Sequence, residues 1–137
     1  MRSRVILFVF CLSTLSFACS KSSYNSNNGG SPGGTSDNWH VTLFSDSGTD
    51  ETSDFDGYLF VFGASNVLTA KRGAISTNGT WNQGSSSFNI DLGAKSDSNK
   101  PLGELTHDWV IISVSATEIK LKDDNTSAAE FLTFTKN

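Results

Sequence analysis

Five carboxylates fall within the eleven positions of the stretch DSGTDETSDFD, residues 46–56. They are Asp46, Asp50, Glu51, Asp54 and Asp56. An EF-hand calcium loop needs a central glycine and a glutamate at its twelfth position, whereas here the glycine comes two positions after the first acid and Gly57 follows the stretch. The composition also suits a solvated hairpin loop, since glycine accepts left-handed turns and Asp and Ser bond nearby backbone groups. Two interpretations stay open: a loop, or a looser cation site formed by the first four of these acids.

Nucleophilic catalysis needs a general base, and the two histidines are poorly placed for that role. His40 lies between Trp39 and Val41 in an alternating segment, which puts it on the outward face of a strand. His107 and Asp108 fit a cap and turn pair. The sequence contains no G-x-S-x-G, no HExxH and no glycine-rich phosphate loop. We therefore predict no enzymatic activity and no cofactor, with a small hydrolase as the least favoured alternative.

Cys19 carries the clearest predicted chemistry. The chain opens with two arginines, followed by the apolar run VILFVFCL and a mixed stretch that ends at Ala18, as in a secretory signal peptide. The run is shorter than the roughly 20 apolar residues that span a bilayer, although an uncleaved N-terminal anchor is the competing interpretation. The segment LSFACSKSS resembles the lipobox of bacterial lipoproteins, with Ser16 where leucine is usual and Phe17 bulkier than usual.

The lipobox resemblance implies that residues 1–18 are a signal peptide and that the thiol of Cys19 receives diacylglycerol, with further acylation such as palmitate on the new amine. A multiply acylated cysteine gives stable membrane anchoring. Ser20, rather than aspartate, follows it, which resembles the pattern of outer-membrane lipoproteins. We expect the periplasmic side of that membrane. Cys11 lies in the discarded segment, so the mature domain has no cysteine for a disulfide or a zinc–cysteine site.

Residues 19–38 comprise the lipidated cysteine and a Ser, Asn and Gly-rich linker. Such a chain has a mean reach of roughly 25 Å. Residues 39–137 then form one small domain. Without Arg2 and Arg4, eight Lys and Arg face fourteen acids, a net charge of −6. An acidic domain without a basic stripe is a poor partner for nucleic acid or anionic lipid, so the membrane is expected to be a partner only through the lipid.

The domain alternates apolar and polar residues in about eight short runs separated by turn residues. SFNIDLG and TEIKLKD are typical runs, and Ala116-Thr117 predicts a tight hairpin before the second of them. Asn78-Gly79 is a turn signal inside AISTNGTWNQ, although Trp81 suggests that the strand continues past a bulge. PLGELTHD predicts one short helical turn near residues 101–107. These features predict an all-β, antiparallel up-and-down β-barrel, whose closure removes edge strands.

Several motifs resemble the small lipocalin-like domains of Gram-negative envelope lipoproteins. They are W-x-V-x-x-F at 39–44, F-D-G-Y-x-F-x-F at 55–62, G-T-W at 79–81, D-W-x-I-x-x-V at 108–114 and L-T-F-x-K at 132–136. The resemblance covers the whole domain and implies a lipocalin-like barrel. The chain is about a third shorter than true lipocalins, and Asn38 stands before Trp39, so their G-x-W is absent. The fold therefore carries over better than a ligand pocket.

Two functions follow from the aromatic residues. Trp39, Trp81, Trp109 and Tyr58 could line a barrel mouth and bind a small apolar or amphipathic ligand or a sugar face. Alternatively, the tryptophans belong to a filled core, which ten phenylalanines in the chain favour. In that case the protein is a structural or interaction lipoprotein that meets an envelope protein through its loops.

Overall fold

The computed structural model describes residue 32 and residues 37–125 and 127–137. The predicted signal peptide, Cys19 and most of the predicted linker lie outside these residues. The described part contains nine strands: β1 Trp39–Asp46, β2 Thr49–Asp50, β3 Tyr58–Phe62, β4 Val67–Arg72, β5 Ile75–Gln83, β6 Ser87–Asp91, β7 His107–Val114, β8 Glu118–Lys122 and β9 Phe131–Lys136. Short 3₁₀ turns lie at Thr52–Phe55, Ala64–Asn66, Asp97–Asn99 and Leu102–Leu105.

Eight of these strands form a closed antiparallel β-barrel. Each strand from β3 onward pairs with the next along the chain, and β9 returns to pair with β1 from Trp39↔Lys136 to Ser45↔Phe131. The two-residue β2 pairs only with the end of β1 and extends beyond the ring. The predicted all-β, up-and-down barrel of about eight strands is confirmed, as is the short turn after Pro101. No helix in the described ranges is long and apolar enough to cross a membrane.

Alternating residues produce the strands and fill the barrel. In β8, Ile119 and Leu121 point inward while Lys120 and Lys122 are exposed, as the sequence pattern predicts. The other strands of the ring contribute their apolar faces to the same cluster. The largest fully buried side chains are Trp39, Trp109, Phe44, Phe60, Phe62, Phe88, Phe134, Leu68, Ile90, Leu105, Ile119 and Leu121. An eight-stranded barrel is just wide enough for side chains to fill it, and this one is filled.

The seam between β1 and β3 is the weakest junction of the ring. Only Trp39 and Phe60 pair across it in register. Further along β1, the backbone N–H of Phe44 donates to Thr52 Oγ1 at 2.9 Å, and the Phe44 carbonyl accepts the Glu51 N–H at 2.9 Å. The acidic stretch therefore supplies the hydrogen bonds that a longer β3 would otherwise make.

Phe55 fixes the acidic stretch to the core. Its ring is buried and packs edge-on against Phe44, with centroids 5.2 Å apart, and lies 6.4 Å from Tyr58. The ring therefore covers this end of the barrel interior. The acids on either side of it, Asp54 and Asp56, are exposed.

Asn78-Gly79 does not form a turn, and β5 runs through it. A Cβ at Gly79 would overlap the backbone carbonyl oxygen of Asp91 on β6. Glycine is required here because the two backbones approach closely. The reversal between β4 and β5 lies instead at Gly73, whose φ is +59°.

Candidate functional site

Four connections meet at one end of the barrel, formed by residues 46–57, 72–75, 91–108 and 122–130. We call this the acidic end. It holds twelve of the fourteen acidic residues of the chain: Asp46, Asp50, Glu51, Asp54, Asp56, Asp91, Asp97, Glu104, Asp108, Asp123, Asp124 and Glu130. The cations within the same ranges are Arg72, Lys95, Lys100 and Lys122. The acidic end therefore has a large excess of negative charge.

The opposite end, which we call the neutral end, comprises the connections 62–67, 83–87 and 114–120 with their flanking strand residues, together with both ends of the domain. Lys136 Nζ lies 2.8 Å from Asp37 Oδ2, and Lys120 Nζ lies 3.0 Å from Glu118 Oε2. The remaining two acids of the chain are thus both ion-paired. The chain enters β1 at this end, so residues before Trp39 attach opposite the acidic end.

A mixed set of nitrogen and oxygen donors lies where β7 begins and β8 ends. His107 Nε2 is 3.0 Å from Asp123 Oδ1, and that oxygen also accepts the Asn125 backbone N–H at 3.0 Å. One donor atom each from His107, Asp123 and Asp124 lie within 4.8 Å of one another. Asp123 is buried, whereas Asp124 is exposed. The Asn125 N–H is the main cause that lowers the pKa of Asp123, with the contacts to Asp124 and His107 acting in the same direction.

The sequence suggested a cap and turn role for His107 and Asp108, and the structure gives them different partners. His107 starts β7 and contacts the ring of Trp109 edge-on, with centroids 5.3 Å apart. The side chain of Asp108 accepts a hydrogen bond from Asn89 on β6. The two side chains diverge because neighbouring residues on a strand point to opposite faces.

A carboxyl pair lies beside this cluster. Lys95 Nζ lies 3.7 Å from Glu130 Oε1 and 3.9 Å from Asp46 Oδ2, which places the two carboxyl groups around one ammonium group. Burial is the main cause that raises the pKa of Glu130, and the nearby charges of Asp46 and Asp123 raise it further. Lys95 acts in the opposite direction. The ionised form of Glu130 is therefore disfavoured in the folded protein.

We expect Glu130→Gln to stabilise the protein at neutral pH. Because the folded-state pKa of Glu130 is raised above its ordinary value of 4.5, ionisation of this group penalises the folded state at neutral pH, and the penalty disappears below that value. The variant should melt a few degrees above the wild type at neutral pH and at the same temperature in acid. Thermal unfolding followed by circular dichroism at several pH values measures this. Glu118→Gln at the neutral end is the control, and an equal gain there, or a gain that persists in acid, would contradict the explanation.

A second group of carboxylates forms where the acidic stretch meets the turn Leu102–Leu105. Donor atoms of Glu51, Asp54 and Glu104 lie within 4.8 Å of one another. Glu104 is 5% exposed, and its carboxylate is 3.0 Å from Lys100 Nζ. This contact raises the pKa of Lys100. The buried glutamate is thus neutralised by an ammonium group of the same protein.

The four acids proposed for a loose cation site are therefore divided among three surroundings. Asp46 faces Lys95 and Glu130, while Asp50 accepts the Thr52 N–H at 3.0 Å. Hydrogen bonds from Thr52 lower the pKa of Asp50. The other two, Glu51 and Asp54, join Glu104. The structure does not bring the four together as one set.

The four aromatic candidates are likewise divided between the two ends. Trp39 and Trp81 lie toward the neutral end, each edge-on to Phe62 with centroids 5.9 and 5.4 Å away. Trp109 and Tyr58 lie toward the acidic end. All three tryptophans are buried and Tyr58 is partly exposed, with the Arg72 guanidinium 5.1 Å from its ring centroid. No single mouth gathers the four, and ligand contact by these residues stays a prediction.

The indole N–H groups differ in their hydrogen bonding. Trp81 Nε1 donates to the Gly63 carbonyl and Trp109 Nε1 to the Leu105 carbonyl, both at 3.0 Å. Trp39 Nε1 has no acceptor among the described residues although it is fully buried. A buried donor without a partner costs about 1–3 kcal/mol.

The chain matches no known family model, no curated protein and no solved structure. The distribution of charge and the packing of the barrel are therefore the features that indicate a function.

Proposed function

We propose that this protein is a lipid-anchored interaction protein of the Gram-negative cell envelope, which uses the acidic end of a filled β-barrel to bind a cationic segment of another envelope protein. One observation carries the proposal: the strand order collects twelve acids at one end and places the entry of the chain at the other. A tethered domain with this arrangement can direct its charged loops away from its point of attachment.

The packed interior supports an interaction protein over a carrier of small molecules. Six of the seven phenylalanines in residues 39–137 are buried, and aromatic contacts run across the barrel from Trp39 through Phe62 to Phe134. Carriers of the lipocalin type keep room for a ligand. A filled barrel leaves the loops as the variable, functional part of the protein.

The charge of the acidic end indicates the chemistry of the partner. Twelve acids face four cations there, and several of the acids are exposed, including Asp54, Asp56 and Asp97. Such a surface attracts basic segments, accelerates their association and loses affinity as salt screens the charges. A lysine- or arginine-rich segment of an envelope protein is the partner that fits.

The lipid anchor is tested by Cys19→Ala in the full-length protein. We expect the variant to leave the membrane fraction and appear in the soluble periplasmic fraction, because the thiol that receives diacylglycerol is gone. Fractionation of cells followed by immunoblotting measures this. Cys11→Ala is the matched control and should stay with the membranes. A Cys19→Ala protein that still sediments with outer membranes would contradict the anchor.

The acidic end is tested by neutralising exposed acids that support no strand pairing. Asp54, Asp56 and Asp97 changed to asparagine should weaken partner capture roughly tenfold, since exposed ion pairs contribute about 0.2–1 kcal/mol each. The measurement is cross-linking in intact cells from a photoreactive residue at exposed position 53. The matched control changes the two acids of the neutral end, Asp37→Asn and Glu118→Gln. Equal adduct yields in the two variants would refute the role of the acidic end.

Binding of a small apolar or amphipathic ligand is the second candidate, and the unpartnered indole N–H of Trp39 favours it. A ligand with an acceptor atom could satisfy that donor if the barrel opened. Fatty acids and haem titrated against the full-length protein should leave tryptophan fluorescence unchanged if the filled barrel is the functional state. Saturable quenching by either compound, lost in Trp39→Phe, would favour the ligand carrier instead.

A further inference from the structure

We propose that His107, Asp123 and Asp124 form a binding site for one divalent transition-metal ion, with Zn²⁺ as the best-matched chemistry. This site is distinct from the docking of a cationic partner and does not depend on it. It is a mixed imidazole and carboxylate set, located where β7 begins and β8 ends.

The spacing of the donor atoms suits one small ion. Ligand atoms about 2.0–2.2 Å from a tetrahedral Zn²⁺ lie about 3.3–3.6 Å from one another. His107 Nε2 and Asp123 Oδ1 are 3.0 Å apart, and the third donor, from Asp124, completes a set within 4.8 Å. Small side-chain rotations would therefore bring three protein ligands around a common centre. Three protein ligands leave a further coordination position for water or a bound molecule.

The donor types select the class of ion. Imidazole nitrogen suits zinc, copper, nickel and iron, whereas calcium and magnesium prefer sites made only of oxygen. His107 is the only histidine at the acidic end, and it points toward its carboxylates. The second cluster, which consists of three carboxylates and includes Glu104, is less suited to such an ion. It has no nitrogen donor, and Lys100 already neutralises its buried member.

The charge balance of the cluster favours a cation. Donor oxygens of Asp123 and Asp124 lie within 4.8 Å of each other, so two carboxyl groups lie side by side. Within residues 37–125 and 127–137, no Lys or Arg forms an ion pair with either of them. These two carboxylates are therefore open to an added cation, and a divalent ion would balance their charge.

The surroundings hold the ligands in place. The Asn125 N–H fixes Asp123 Oδ1, and the edge-on contact with Trp109 restricts the imidazole ring of His107. Oriented ligands bind metal more tightly because less ordering is needed on binding. Trp109 is also close enough to report on the site through its fluorescence.

The test is a Co²⁺ titration of the full-length protein in detergent, because Co²⁺ replaces Zn²⁺ in such sites and absorbs visible light. We expect one saturating Co²⁺ per chain, quenching of tryptophan fluorescence, and release of Co²⁺ by Zn²⁺. His107→Ala and, separately, Asp124→Asn should each weaken binding at least roughly tenfold. His40→Ala and Asp54→Asn are the matched controls and should bind like the wild type.

If the contact between His107 and Asp123 has only a structural role, a different result is expected. In that case His107→Ala lowers the melting temperature but leaves the Co²⁺ spectrum and affinity unchanged, and the proposal is overturned. Asp124 is exposed, so Asp124→Asn separates metal binding from folding. Absence of a saturable Co²⁺ band in the wild type would also overturn the site. Zn²⁺ should raise the melting temperature of the wild type and not that of Asp124→Asn.

Discussion

Phe62→Ala is expected to destabilise the protein by about 3–5 kcal/mol. Phe62 is fully buried and makes edge-on contacts with four aromatic rings: Trp39, Trp81, Phe88 and Phe134. Removing it deletes the ring that links the two sides of the barrel interior and leaves a cavity that neighbouring strands cannot close. Since a small domain has a total stability of about 5–15 kcal/mol, this single change removes a large share of the free energy of unfolding.

Urea unfolding followed by tryptophan fluorescence measures the loss. The control is Phe131→Ala on β9, where the side chain is 40% exposed and the cost should stay below about 1 kcal/mol. Similar losses in the two variants would mean that the interior is looser than the packing implies.

The cavity left in Phe62→Ala also gives a binding prediction, because an apolar cavity binds small apolar molecules. Benzene should therefore stabilise Phe62→Ala and have little effect on the wild type.

Gly79→Ala is expected to cost about 3 kcal/mol or more. The added methyl group would overlap the backbone carbonyl of Asp91 and approach the Leu92 side chain. Backbone atoms of a paired strand cannot move aside as a flexible side chain can, so relief requires separation of β5 from β6. The ladder between these strands, from Thr80↔Asp91 to Gln83↔Phe88, is the element that should fail.

Gly48→Ala is the matched control for Gly79→Ala. Gly48 has a φ of +81° with open space around its Cβ position, so only the strain of a left-handed backbone applies, about 1–2 kcal/mol. Hydrogen exchange should show lost protection of β5 and β6 amides in Gly79→Ala and unchanged protection there in Gly48→Ala. If the two variants lose the same stability and keep the same protection, the close approach at Gly79 is not a determinant of the fold.

The barrel was predictable because its signals are local. Period-two alternation in runs such as SFNIDLG predicts which side chains are buried, and the structure buries Phe88, Ile90 and Leu92. Short connections then leave an antiparallel meander as the simplest topology. Asn78-Gly79 shows the limit of local signals: the dipeptide suits a turn, but β5 continues because the glycine meets a neighbouring strand.

The candidate sites were less predictable because they depend on register and ring closure. His107 meets Asp123 only because β7 and β8 pair with a given offset, which a bulge between Ile111 and Ser113 shifts by one residue. Asp46 meets Glu130 only because the first and last strands join. The acidic end could have been predicted from the sequence. Successive loops of a meander lie at alternating ends of the barrel, and counting the acidic residues in every second loop would have shown that most of them share one end.

The pairing of β1 with β9 also has a consequence for the order in which the protein can be assembled. The two strands that close the ring are the first and the last of the described strands along the chain, and the Asn137 N–H donates to the Asn38 carbonyl at 2.9 Å. Contacts between residues so far apart in the chain form slowly during folding. Until β9 arrives, β1 and β8 each present an unpaired edge that can pair with another chain. An intermediate that lacks only the pairing of β1 with β9 therefore exposes two strand edges, and closing the ring removes both.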